Sequence, residues 1–158
     1  MITIVKADRN DIPLLAEMRL SYLSEDSGFK SEEEKKAIAE RLPLYFEKHL
    51  DKDLFAWLAM DGETAVSGVF LLVSEKPASP SFPNGLTGTV LNVYTKEPYR
   101  HHGFARRLMQ ELLKKAETLK LSCVELKATK DGIHLYETLG FKDASSEYLL
   151  MKRKPSEN

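Results

Sequence analysis

Val90-Leu91-Asn92-Val93-Tyr94-Thr95-Lys96-Glu97-Pro98-Tyr99-Arg100-His101-His102-Gly103-Phe104-Ala105-Arg106-Arg107 is the stretch on which the reading of this chain turns. Its first residues are β-branched, aromatic and apolar, the composition of a strand. Lys96–Gly103 then brings Pro98, Arg100, His101, His102 and Gly103, which is turn chemistry. From Phe104 the pattern is helical, with Ala105, Leu108, Met109, Leu112, Leu113, Ala116 and Leu119 recurring at i, i+3, i+4 spacing. A strand that enters a helix through such a turn leaves several N–H groups aimed at one point, with the positive end of the helix dipole behind them. Gly103 lets a ligand approach the backbone, Ala105 keeps its position small, and Arg100, Arg106 and Arg107 add positive charge. The arrangement suits a pyrophosphate. A helix start with arginines on its solvated face is the plainer alternative, and the segment by itself leaves both open. It is neither a G-x-x-x-x-G-K-[ST] loop nor a G-x-G-x-x-G fingerprint.

Outward from this segment, the first strand is expected at Ile2–Lys6. A helix capped by Asn10 or Asp11 follows, with Pro13 in its first turn, and then a polar loop over Ser21–Lys30. Ser31 and Glu34 form a capping box opening a second helix, which Pro43 is expected to break near Arg41–Leu42. Phe55–Met60 and Ala65–Val73 read as strands joined at Asp61-Gly62, a hairpin signal. A long loop, Glu75–Thr87, leads to the strand Thr89–Thr95. After the helix Phe104–Leu119 come a strand Val124–Ala128, a short helix Asp131–Leu139 and a last strand Glu147–Lys152. This order predicts one α/β (α+β) domain over 1–153 with a polar tail at 154–158.

The chain has 158 residues, enough to bury roughly 68–70 % of its unfolded surface without metal or disulfide. Cys123 is the single cysteine, so no internal disulfide is available, and its setting in an apolar strand reads as core. The adjacent pair His101-His102 does not converge on one ion, and no metal is expected. No apolar run reaches membrane-spanning length and no signal peptide pattern opens the chain, so a cytoplasmic location and no membrane partner are expected. Net charge is −1, which argues against a nucleic-acid partner. The charge is divided: residues 1–79 carry 10 bases and 15 acids (net −5), residues 80–158 carry 13 and 9 (net +4). This hints that the second half meets an anion and the first half a cation.

Arg100-His101-His102-Gly103-Phe104-Ala105 resembles the R/Q-x-x-G-x-G/A signature of the GNAT superfamily of N-acetyltransferases. Gly132-Ile133-His134-Leu135-Tyr136-Glu137-Thr138-Leu139-Gly140-Phe141 is similar to its second landmark, A-x-x-L-Y-x-x-x-G-F, with Gly132 where Ala is usual and Thr129 where Asn often stands. The resemblance implies a central mixed, mostly antiparallel sheet of about six to seven strands, flanked by helices and splayed near Val93–Thr95. It implies acetyl-coenzyme A as cosubstrate. Val93, Tyr94 and Thr95 would meet its pantetheine arm, with Thr129 nearby, and Arg100, His101, His102, Gly103, Phe104, Ala105 and Arg106 its pyrophosphate.

It further implies direct attack of an amine on the thioester, with Tyr136 as general acid and a strand N–H of Val93 or Tyr94 polarising the carbonyl. Thr89–Thr95 holds no carboxylate to act as base, leaving either Asn92 or Tyr94 to position water or substrate, or a carboxylate from the substrate helices to serve. Tyr22, Glu25, Asp26 and Phe82 are the candidate acceptor-binding residues, and acids beside aromatics suit a cationic amine. The expected function is acetyl transfer to a primary amine of a small molecule or peptide. A coenzyme A-binding sensor or adaptor without turnover is the alternative, and homodimer formation is left open.

Overall fold

The structure, a computed structural model, describes residues 1–144 and 146–156. It divides into two compact units, Met1–Lys127 and Ala128–Asn158. The first holds a five-stranded sheet in chain order: β1 (Ile2–Lys6), β2 (Leu54–Asp61), β3 (Thr64–Glu75), β4 (Leu86–Thr95) and β5 (Cys123–Glu125). Neighbours from β1 to β4 are antiparallel, and β5 alone runs parallel to its neighbour β4. The hairpin between β2 and β3 turns at Gly62 and Glu63, next to the Asp61-Gly62 signal, and Gly62 takes the left-handed φ of 63° such turns require. The mixed α/β class and the mostly antiparallel sheet are as expected. The strand number is five, not six to seven.

Two helices, α1 (Ile12–Asp26) and α2 (Glu32–His49), cover one face. Strand alternation sends Leu54, Ala56 and Leu58 of β2 and Phe70 of β3 to that face, where they bury Leu15, Met18 and Phe46. The other face takes α3 (Phe104–Thr118), whose Leu108, Met109, Leu112 and Ala116 are buried. Lys115 of α3 lies over the ring of Phe55, the residue between Leu54 and Ala56, which fixes α3 to the opposite side.

Four expectations about elements fail, the two on the helices for a plain physical reason. The first helix does not stop at Ser21 but runs to Asp26. Ser21–Leu23 are half-buried and only Ser24–Asp26 exposed, so the helix continues through the polar run to its stop at Gly28, at φ 70°, whose N–H donates to the Leu23 carbonyl at 2.8 Å. The second helix passes through Pro43 unbroken. Leu42 packs against the core and Phe46 lies within it, while Pro43 is exposed, so tertiary packing holds both flanks of the missing hydrogen bond. The expected last strand, Glu147–Lys152, is irregular, and its Tyr148, Leu149, Leu150 and Met151 are exposed. The fifth strand is shorter than predicted, and Cys123 on it is half-buried rather than core. The polar tail falls partly outside the described residues.

The loop between β3 and β4 is pinned by Gly85. It sits at φ 77°, its carbonyl accepts the Lys76 N–H at 2.8 Å, and an added Cβ would collide with the Lys76 carbonyl oxygen. Gly85→Ala therefore combines left-handed strain with a backbone clash. The expected loss is about 2 kcal/mol or more, roughly 4–8 °C in Tm by thermal unfolding.

Candidate active site

The site grows from a break in β4. Register with β3 runs Leu86–Leu91 against Glu75–Phe70, then resumes with Tyr94 opposite Gly68. Two residues of β4, Asn92 and Val93, thus stand against Val69 alone, which is a β-bulge. Asn92 takes a left-handed φ of 58°, a conformation asparagine tolerates better than most residues. Its side chain is 4 % exposed and fastened to α1: Nδ2 donates to the Met18 carbonyl at 3.3 Å, and Oδ1 accepts from Arg19 Nη1 at 3.4 Å. Asn92 was a candidate for positioning water or substrate. In the structure its side chain secures the bulge to α1.

Beyond the bulge β4 is open on one side. It pairs with β5 only through Thr87, Gly88 and Thr89, opposite Cys123, Val124 and Glu125. From Val90 to Thr95 that side has no strand beside it among the described residues, so the splay expected near Val93–Thr95 is present and begins earlier. Lys96 N–H donates to the Val66 carbonyl of β3 at 2.9 Å, and Ser67 Oγ donates to the Tyr94 carbonyl at 2.9 Å. Alternation then turns the Val93 and Thr95 N–H groups away from β3, toward the open side, and the Tyr94 N–H toward β3.

The turn after β4 holds a short 3-10 helix, Glu97–Tyr99, then His101 at φ 64° and Gly103 at φ 82° as the N-cap of α3. Glycine offers no side chain to cap the first N–H groups of α3, which lack intrahelical acceptors. His101, His102, Gly103 and Arg106 are exposed, while Phe104 and Ala105 are half-buried. His102 stacks near Phe104 with ring centroids 6.0 Å apart, and its Nδ1–H donates to the Tyr99 carbonyl at 3.2 Å.

Arg100 does not point outward as a free cation. Its Nε donates to the Thr95 carbonyl at 2.8 Å, Nη2 donates to Glu25 Oε2 at 2.6 Å, and its guanidinium lies 5.7 Å from the Tyr94 ring. The Tyr94 hydroxyl donates to the other Glu25 oxygen at 3.2 Å. The hydrogen bond to Glu25 raises the Arg100 pKa, and burial with the Glu25 charge raises that of Tyr94. Glu25 is thus a partner of the turn rather than a free carboxylate for an acceptor. Phe82 does not join Tyr22, Glu25 and Asp26. It lies in the loop before β4, at the far end of a ten-residue strand spanning roughly 30 Å, and packs under Lys76 Nζ at 5.4 Å.

The second unit carries α4 (Ile133–Thr138). Tyr136, half-buried, meets Phe141 edge-on with centroids 6.0 Å apart. A Cβ at Gly132 would come within 2.8 Å of the Tyr136 ring and 3.5 Å of Thr129 Oγ1. The glycine at the position where alanine was expected therefore goes with this placement of the tyrosine ring.

A model of the acetyltransferase (GNAT) family matches residues 16–141, four-fifths of the chain. The chain belongs to the GNAT acetyltransferase family. Among solved structures, it is similar to a predicted acetyltransferase of Clostridium acetobutylicum with acetyl-CoA, at 25 % identity and TM-score 0.82, with 96 % of each chain covered. It is also similar in fold to a GCN5-related N-acetyltransferase of Ralstonia eutropha, at 22 % identity and TM-score 0.75, covering 96 % of this chain and 99 % of that one. A ribosomal-protein-alanine N-acetyltransferase of Brucella melitensis shares the fold at 22 % identity and TM-score 0.66, with 97 % and 100 % covered. No curated protein sequence matches the chain.

Within this GNAT frame, several polar residues near the bulge escaped sequence reading. Ser67 is fully buried and bonds the Tyr94 carbonyl and, at 2.7 Å, Thr95 Oγ1. Its only signal was a hydroxyl inside the apolar run Ala65–Val73. Arg19, Glu17 and Lys96 gave none, since they meet only through the docking of α1. The bulge offers a direct test of what Asn92 does. Asn92→Ala loses both side-chain bonds and keeps the left-handed strain, so a stability loss of about 2–3 kcal/mol is expected in denaturant titration. Asn92→Gly relieves the strain and loses only the bonds, so it should cost about 1 kcal/mol less than the alanine.

Proposed function

We propose that this chain transfers the acetyl group of acetyl-coenzyme A directly to a primary amine of a small molecule or peptide. The observation that carries the proposal is the open side of β4 from Val90 to Thr95, running into the Gly103-capped turn. An extended pantetheine arm carries amide groups that can pair with such an edge as an added strand would. The C=O of Val93 and the N–H of Thr95 are the groups for it. The N–H groups around His101–Ala105 then receive the pyrophosphate, with Arg106 as a neighbouring cation. Arg100 contributes through the shape of the turn, since its guanidinium is engaged by Thr95 and Glu25.

In the reaction the neutral amine nitrogen bonds to the thioester carbonyl carbon. Negative charge develops on the oxygen, and the Val93 N–H is the donor in position to stabilise it. The carbon–sulfur bond then breaks and the thiolate takes a proton, a role we give to the Tyr136 hydroxyl. Thr129 is assigned to the pantetheine arm on the same family correspondence. Leu86–Thr95 holds no carboxylate, so deprotonation of the amine falls to water. That missing carboxylate is also the one observation favouring a second reading, a coenzyme A-binding sensor without turnover.

Acetyl-coenzyme A at a hundredfold over its Kd should stabilise the fold by about 2.7 kcal/mol. That corresponds to a rise in Tm of roughly 5–10 °C by scanning fluorimetry, and no rise at millimolar ligand would refute the cofactor site. Tyr136→Phe should keep that shift and lower thiol release by roughly a hundredfold or more. A wild-type chain that binds the cofactor but releases no thiol with any amine would favour the sensor.

A further inference from the structure

Each of the two acids that α1 aims at the end of β4 already has a cation. Glu17 pairs with Lys96 at 2.8 Å and Glu25 with Arg100 at 2.6 Å. Asp53, beyond the end of α2, is held by His49 at 2.8 Å. Arg19, between Glu17 and Glu25 on α1, is half-buried and has no carboxylate within ion-pair distance among the described residues. Its polar partner is the amide oxygen of Asn92, at a long 3.4 Å, and its guanidinium lies 5.8 Å from the Tyr22 ring. Its charge also reaches Tyr45 of α2, lowering that hydroxyl's pKa against burial and Asp53, which raise it.

A guanidinium has five N–H donors in a planar fork, and a half-buried one without an anion is poorly compensated for the water it has lost. Asn92 is the bulge residue, and the next N–H along the chain, that of Val93, faces the open side of β4. The unneutralised cation therefore stands beside the segment where the acetyl group would sit, with the Tyr22 ring 5.8 Å away. We infer that Arg19 receives an anionic group of the acceptor, so that the substrate is an amine bearing a nearby carboxylate or phosphate, such as an amino acid. This rests on the acetyl-transfer reading and reverses the polarity expected from sequence, where Glu25 and Asp26 suggested a cationic amine. Glu25 is spent on Arg100 and Tyr94, whereas Arg19 gives one N–H to Asn92 and meets no carboxylate among the described residues, so an anion is the partner its guanidinium lacks.

Matched acceptors test this: alanine against alaninamide, phosphoethanolamine against ethanolamine, with putrescine as the cationic member. The expected kcat/KM favours the anionic member of at least one pair by about tenfold or more, and which pair responds separates carboxylate from phosphate. Arg19→Gln should bring that ratio to within about twofold of unity by raising acceptor KM, with Arg19→Lys restoring part of it. Should the glutamine variant fail to fold, the wild-type ratios and the lysine variant carry the test. If no amine turns over, calorimetric titration of the coenzyme A-saturated protein with the same pairs gives the same readout. Equal use or equal binding of both members, a preference for putrescine, or a ratio unmoved in Arg19→Gln overturns the inference while leaving acetyl transfer standing. Failure of acetyl-coenzyme A to bind would overturn both.

Discussion

Parallel pairing between β4 and β5 lasts for three residues, Thr87–Thr89 against Cys123–Glu125, and then ends while β4 continues for six more. Backbone N–H and C=O groups on the freed side have no strand to satisfy them, and such groups are costly to bury without a partner. Within the freed stretch β4 bends at Asn92, the bulge residue. That bend stores left-handed strain of the order of 1–2 kcal/mol, held in place by the amide contacts to Met18 and Arg19. The open edge and the bulge thus share one end of β4, and the turn at Gly103 follows directly from it.

The helix that locks the bulge also anchors the turn. Along α1, Glu17 reaches Lys96, Met18 and Arg19 reach Asn92, and Glu25 reaches Arg100 and Tyr94. These contacts run from Glu17 to Glu25, eight steps or about 12 Å of helix at roughly 1.5 Å per residue. Both ion pairs are between about a quarter and a half exposed, so each contributes little to stability. Their effect is geometric: α1 cannot shift along β4 without dragging the turn that follows it.

How far the sequence could be read depended on whether a signal was local. The Ser31 cap, the Asp61-Gly62 hairpin and the heptad-like apolar spacing of Phe104–Thr118 are local, and each element stands where its signal lies. The turn at Arg100–Ala105 was legible for the same reason, because a glycine-capped helix start is written in consecutive residues. Pro43 misled because burial of Phe46, a tertiary fact, outweighed a local helix breaker. Phe82 was grouped with Tyr22 by composition, although the length of β4 separates them. Glu25 and Arg100 were assigned to different ligands because nothing in the sequence says that the end of α1 meets the end of β4.

The division of charge along the chain, −5 in residues 1–79 and +4 in residues 80–158, reads differently once these contacts are known. Glu17 with Lys96 and Glu25 with Arg100 join acids of the first half to bases of the second, and Asp61 accepts from Tyr99 across the same divide. Two acids of the first half are thus spent on bases of the second where α1 docks on β4, while Lys76 with Glu125 pairs in the opposite sense. What a ligand would feel is the remainder after this internal pairing. On α1 the groups left without an ion pair among the described residues include Arg19, beside the bulge, and Asp26, at the helix end. The polarity of a site follows from the charges its own scaffold leaves unpaired, and beside the bulge that reverses the sign suggested by counting residues.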